Sequence, residues 1–177
     1  MKMVKILDAK GMALVSDALN QMILQKLAAR PNSVTGLSRE LNIPALKVWR
    51  RIQRLMKAKL VNVSRIEKVG NLEKKLYRAT ALRYDVSPQF FGPKLNDLNV
   101  QAAFELYIKV QNEEMAYLSS FDNDIPEEED PTDFAVYALM QAFVQMFEKE
   151  TTQARVGEIK QLLSNYENKK SLPPPYM

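Results

Sequence analysis

Apolar positions between Thr35 and Val61 recur on a helical period in two blocks separated by a sharp break. In the first block Leu37 and Leu41 form a ridge, and Ser38 between them is small enough for a second helix to cross closely. Asn42 stands at the break; after glycine, asparagine best tolerates a left-handed backbone. Ile43 plugs the corner, and Pro44 suits the first turn of the next helix, where its missing N–H would be unpaired anyway. In the second block, at about 100° per residue, Val48, Ile52 and Leu55 fall on one side. Lys47, Arg50, Arg54 and Lys57 gather on the opposite side, with Arg51 at its margin. Trp49 lies on the flank, where it is expected to pack against a neighbouring element. The pattern predicts a helix-turn-helix whose second helix is apolar inward and almost purely basic outward.

The period then changes from helix to strand. Leu60 to Val69 alternates and is rich in β-branched residues, Gly70-Asn71 suits a tight turn, and Glu73 to Tyr84 returns as a second strand. Lys68, Lys74 and Lys75 cluster near the tip, with Arg65 and Arg78 further down. A helix-turn-helix followed by a basic hairpin is a winged helix, whose wing can lie along phosphates. Charges also decorate exposed hairpin tips simply for solubility.

Beyond Ser87-Pro88-Gln89-Phe90-Phe91-Gly92-Pro93, which breaks the strand as a hinge, the pattern is helical. Asn96 to Phe121 is apolar through Val100, Ala103, Phe104, Tyr107, Ile108 and Val110. Asp130-Pro131-Thr132-Asp133 is good chemistry for starting a helix. The helix it starts, Pro131 to about Lys149, is apolar around most of its circumference and so needs burial on nearly all sides. A second subunit is expected to complete that burial, with Phe134, Tyr137, Met140, Phe143, Met146 and Phe147 as dimer core. The alternative for the same residues is a pocket for a small apolar effector. A last helix, Thr152 to Asn168, is expected to turn Val156, Ile159, Leu162, Leu163 and Tyr166 inward.

Charge sharpens this division. Residues 1–86 carry eighteen Lys and Arg against six Asp and Glu, while residues 87–177 carry seven against fifteen. The resulting +12 and −8 are concealed by a total of +4. Such asymmetry points to a nucleic-acid-binding part joined to something else. The chain has no Cys and no His. Cysteine nucleophiles, Ser-His pairs, histidine metal clusters and zinc fingers are therefore excluded. The acidic run Glu127 to Asp130 lacks the alternation and turn glycine of a calcium loop and reads as solvated loop. The five Gly are scattered, with no phosphate-cradling loop. No enzyme, metal or cofactor is expected. With no long apolar run and no signal-peptide pattern, the expectation is a cytoplasmic protein without a membrane partner. The terminal Pro-Pro-Pro-Tyr has the form of a WW-domain ligand, but one short motif in a tail carries little.

The stretch Ile6 to Val86 resembles the ArsR-type winged-helix regulators of bacteria and archaea, in particular members with an added helical C-terminal region. The matching pieces are VSDALNQMILQKLAARPNSV, LSRELNIPALKVWRRIQRLMKAKLV and VGNLEKKLYRATALRYDV, the last carrying Glu73, Lys74, Leu76, Tyr77 and Arg78 of a wing motif. The resemblance covers nearly half the chain and implies a DNA-binding transcriptional regulator. Three departures stand out. Arg51 replaces a frequent His, Lys59 replaces the usual Gly before the wing, and the Cys and His ligands of metal-sensing members are missing.

The expectation is an α+β, mostly helical chain. A winged helix-turn-helix would span 1–86, a hinge 87–94, a helical dimerisation or effector region 95–168 and a flexible tail 169–177. It would bind double-stranded DNA as a homodimer. Lys47, Arg50 and Arg51 would approach base edges, and Arg54, Lys57, Arg65, Lys68, Lys74 and Lys75 would hold phosphates. Two other readings remain: a winged-helix interaction module of a transcription assembly, and a low-specificity architectural DNA-binding protein.

Overall fold

The computed structural model describes residues 1–86, 95–127 and 130–171. The expected hinge, the Pro-Pro-Pro-Tyr motif and two of the four residues of the acidic run lie outside them. The described chain is α+β. Its order is β1 (Lys2–Leu7), α1 (Ala9–Val15), α2 (Ala18–Ala29), α3 (Val34–Leu41), α4 (Ala45–Lys57), β2 (Val61–Val69), β3 (Leu72–Ala79), β4 (Ala81–Val86), α5 (Leu98–Ser120), α6 (Thr132–Glu148) and α7 (Glu150–Ser171). It forms two compact units, Met1–Ser87 with Ser119–Ala138, and Pro88–Leu118 with Leu139–Met177. No described helix is long and apolar enough to cross a membrane.

The core of the first unit gathers the inward positions of α2, α3 and α4. Ile23, Leu27, Leu37, Val48, Ile52, Leu55 and Leu60 are all fully buried. Side-chain caps start α1, α2 and α3: Asp8, Asp17 and Ser33 each accept a hydrogen bond from an N–H in the following first turn. Pro44 sits one position earlier than expected. It is the N-cap of α4, and its carbonyl accepts from Lys47 N and Val48 N at 2.9 and 3.2 Å. Because Ile52 fills space shared by three helices, Ile52→Ala is expected to cost about 2–5 kcal/mol. Chemical denaturation should show a lower midpoint at unchanged slope.

Helices α3 and α4 end in the same way. At Asn42 (φ 52°) the chain turns left-handed, Ile43 N reaches Ser38 O at 3.0 Å, and Asn42 N reaches Arg39 O at 3.3 Å. At Lys59 (φ 57°), Leu60 N reaches Leu55 O and Lys59 N reaches Met56 O, each at 2.9 Å. These are paired 6→1 and 5→2 bonds around a left-handed residue, a helix stop that ordinarily takes glycine or asparagine. Lys59 has a Cβ in that position, which costs roughly 1 kcal/mol. Lys59→Gly should therefore raise stability, by at most about 1 kcal/mol once the looser unfolded chain of a glycine variant is subtracted. A higher urea midpoint would register it.

The return strand corrects the single element expected over Glu73 to Tyr84. β2 and β3 pair antiparallel from Val69↔Leu72 to Val61↔Ala79, with a bulge between Val63 and Arg65. There β3 runs out of partner, because the residues before Val61 are the left-handed turn. Thr80 N bonds Leu60 O at 2.9 Å, and from Ala81 the chain continues as β4 beside β1 instead. That pairing is parallel, from Lys2↔Ala81 to Leu7↔Val86, and β1 itself was not expected from the sequence. Gly70 takes positive φ at the hairpin tip and Asn71 does not, the pattern of a type II′ turn. The hairpin is tied back by an antiparallel bridge between Tyr77 and Asn32, just before α3. Ser119–Ala138 contributes Ile125, which is buried, and Asp122, which accepts from Met3 N at 2.6 Å. Arg78 donates to the carbonyls of Pro126 (2.9 Å) and Glu127, so it is engaged in packing rather than presented on the hairpin.

In the second unit α5 is capped by Asp97, whose carboxylate accepts from Asn99 N and Val100 N at 2.8 and 3.2 Å. Lys169 of α7 reaches the same Asp97 at 3.4 Å, and Arg155 of α7 pairs with Glu113 of α5. Ala103, Ala142, Met146 and Thr152 are buried. α7 begins two residues before its expected start and extends to Ser171, into the expected tail. Val156, Ile159, Leu162 and Tyr166 are half-buried, while Leu163, expected inward on the same face, is 42% exposed.

Candidate nucleic-acid interface

Helix α4 is fixed by its inner face, so its outer face points at solvent. Lys47, Arg50, Arg54 and Lys57 are exposed, at spacings of three and four residues along one face. None of the four has an ion-pair partner among the described residues. Free cations of this kind keep their charge for a ligand. They present a row of cations, on a helix held from behind by its buried face, suited to phosphates and base edges.

Arg51 differs. Its guanidinium donates to Asp17 Oδ2 at 2.8 Å, which joins α4 to the first turn of α2. The Asp17 carboxyl is held below its ordinary value of 3.8, first by the Asn20 N–H it caps and then by Arg51. A depressed folded value means stability that is complete above the ordinary carboxylate range and is lost as pH falls through the folded value. Asp17→Asn should therefore be less stable than the parent near neutral pH, and the gap should close in strongly acidic buffer. Thermal melts at the two extremes measure this.

Trp49 departs from expectation. It is 47% exposed instead of packed away, and Leu46 beside it is more exposed still. With Gln53 they make a second exposed row next to the cations.

On the hairpin, Arg65 and Lys74 converge on one carboxylate. Both reach Glu67, at 3.2 and 3.5 Å, because strand alternation and cross-strand register put the three on one face. Lys68 and Lys75 have no ion-pair partner among the described residues and are the hairpin's uncommitted cations. Sequence reasoning missed a further group, Lys5, Lys10 and Lys59, which the β1–β4 pairing brings beside the C-terminal end of α4. Only the long-range pairing creates that group, so no local signal could have found it.

The aromatic helix α6 has two faces. Ala138, Ala142 and Met146 are buried and Phe134 is half-buried. Tyr137, Met140, Phe143 and Phe147 are each more than half exposed, with Val136 and Val144 beside them. They therefore form a surface stripe, not the lining of a closed pocket. Phe143 and Phe147 hold their ring centroids 4.6 Å apart. No group of His, Cys, Asp and Glu among the described residues is arranged to hold a metal. Compared with protein-family models and with curated proteins, the chain matches none of either.

Proposed function

We propose that the chain is a sequence-specific double-stranded-DNA-binding transcriptional regulator, with a winged helix-turn-helix similar to the ArsR type, acting as a homodimer. The observation that carries this is the exposed, unpaired row Lys47, Arg50, Arg54 and Lys57, opposite a buried Val48, Ile52 and Leu55. α4 is the recognition helix. Lys47 and Arg50, in its first turns, approach base edges, while Arg54 and Lys57 hold phosphates. The hairpin is the wing, with Lys68 and Lys75 free for the backbone. Arg51 keeps α4 seated on α2 instead of reading bases.

The exposed α6 stripe supports the dimer. A monomer seldom leaves so many large apolar side chains together in water, and two-fold pairing would set recognition helices roughly 34 Å apart on a pseudo-palindrome. Titration into the chain's own upstream duplex and a scrambled control, over a range of salt, tests the whole reading. A preference on the order of a thousandfold is expected. Equal and steeply salt-dependent binding would mean an architectural role or the wrong duplex, and selection from random duplexes separates these. One observation favours a second reading, an interaction module of a transcription assembly: Trp49 stands exposed beside arginines, and Trp and Arg are the residue types enriched at protein-binding hot spots. Binding to no duplex at low salt would leave that reading.

A further inference from the structure

A cleft of about 640 Å³ opens between the β1–α1 corner and the end of α4. Its apolar lining is Ile6, Leu7 and Leu14 with Gly11 and Ala58, Leu7 being buried and Ile6 exposed. Its rim is cationic, formed by Lys5, Lys10, Arg54, Lys57 and Lys59. Asp8 is the one acidic residue lining it among the described residues, and its carboxylate is occupied in capping α1 through Gly11 N at 2.7 Å. None of the five cations has an ion-pair partner among the described residues. The crowding is felt locally: the Lys5 ammonium is pushed below its ordinary value by burial first, and then by Lys2 and Lys59.

A bare phosphate track would have no use for an apolar lining, and an apolar ligand would have none for five cations. The volume lies in the range of small-molecule sites. We propose that this cleft binds an amphipathic carboxylate, an alkyl chain ending in a carboxylate. The chain lies along Ile6 and Leu14 and the head group sits among Lys10, Lys57 and Lys59. Arg54 and Lys57 belong to the rim and also to the DNA-facing row, so an occupied cleft withdraws two phosphate contacts from α4. The ligand therefore weakens DNA binding by competing for the same charges. Occupancy is independent of the DNA reading, and only the competition rests on it.

Calorimetric titration of the full chain with sodium dodecanoate, below its micelle concentration, tests occupancy without DNA. Saturable one-to-one binding is expected, about tenfold or more tighter than for dodecanol. Lys10→Glu, an exposed change outside the DNA-facing row, should weaken dodecanoate by a similar factor, while Lys10→Arg retains it. Circular dichroism melts confirm that both variants fold. Equal affinity for dodecanol, or for Lys10→Glu and the parent, overturns the site. In a second arm, dodecanoate should raise the apparent Kd for the upstream duplex in the parent and much less in Lys10→Glu. Dodecanoate that binds yet leaves duplex affinity untouched overturns the competition. A parent that binds dodecanoate but no duplex overturns the DNA reading and leaves the site standing.

Discussion

Arg50→Ala should weaken binding to the cognate duplex by about 1–3 kcal/mol, and a scrambled duplex by much less. The asymmetry follows from where Arg50 stands. It is exposed in the first half of α4, free of any ion pair among the described residues, with Val48 and Ile52 holding the helix in register behind it. An arginine so placed can offer two parallel donors to the paired acceptors of one guanine, and alanine leaves those acceptors unmet. Arg54 and Lys57 provide the contrast. Removing both should lower affinity for every duplex alike and reduce the slope of log K against log salt by about 2. Electrophoretic or anisotropy titrations at several salt concentrations separate the two behaviours. An Arg50→Ala variant that lost affinity equally for all duplexes would strip that residue of its base-reading role. Arg51→Ala is expected to behave differently again, reducing stability first, because its guanidinium is bonded to Asp17.

Phe143→Asp should turn a dimer into a monomer. Phe143 and Phe147 are 57% and 58% exposed on the single chain, one turn apart on α6, with Met140 and Val144 alongside. In a two-fold interface each such side chain appears twice, and a buried unpaired carboxylate in each copy opposes association strongly. A loss of more than about 2 kcal/mol per aromatic anchor is typical at the centre of an interface. Light scattering in the micromolar range should give the mass of a dimer for the parent and of a monomer for the variant. The same substitution should leave the fold intact, because the inner face of α6 is carried by Ala138, Ala142 and Met146. A parent that is itself monomeric would remove the dimer from the proposed function and leave the stripe without an occupant.

Much of the first unit was legible because its signals are local. Asn42 announced a left-handed turn, Val48, Ile52 and Leu55 announced a buried stripe, and Gly70 announced a hairpin, each from neighbouring residues alone. Backbone conformation and helical period are short-range properties, so a window of a few residues contains them. What was misread depended on distant partners. The strand over 73–84 broke at Thr80 because β2 had ended at the Lys59 turn, and β4 found β1 79 residues back along the chain. Trp49 and Leu163 were misjudged, and the pairing of Arg51 with Asp17 went unforeseen, for a related reason. Periodicity places a side chain on a face, but only its neighbours decide whether that face is covered or paired.

The sequence by itself determined a basic first half with two helices joined by a sharp turn, and an acidic, helical second half, because charge and period are carried residue by residue. The tertiary structure decided which cations are free. Asp17 takes Arg51 and Glu67 takes Arg65 and Lys74, while Lys47, Arg50, Arg54 and Lys57 have no ion-pair partner among the described residues. It also decided that Lys5, Lys10 and Lys59 meet around an apolar lining. Ion pairs and clefts are made by residues brought together through pairing and packing across the chain, and separation in sequence gives no measure of that distance.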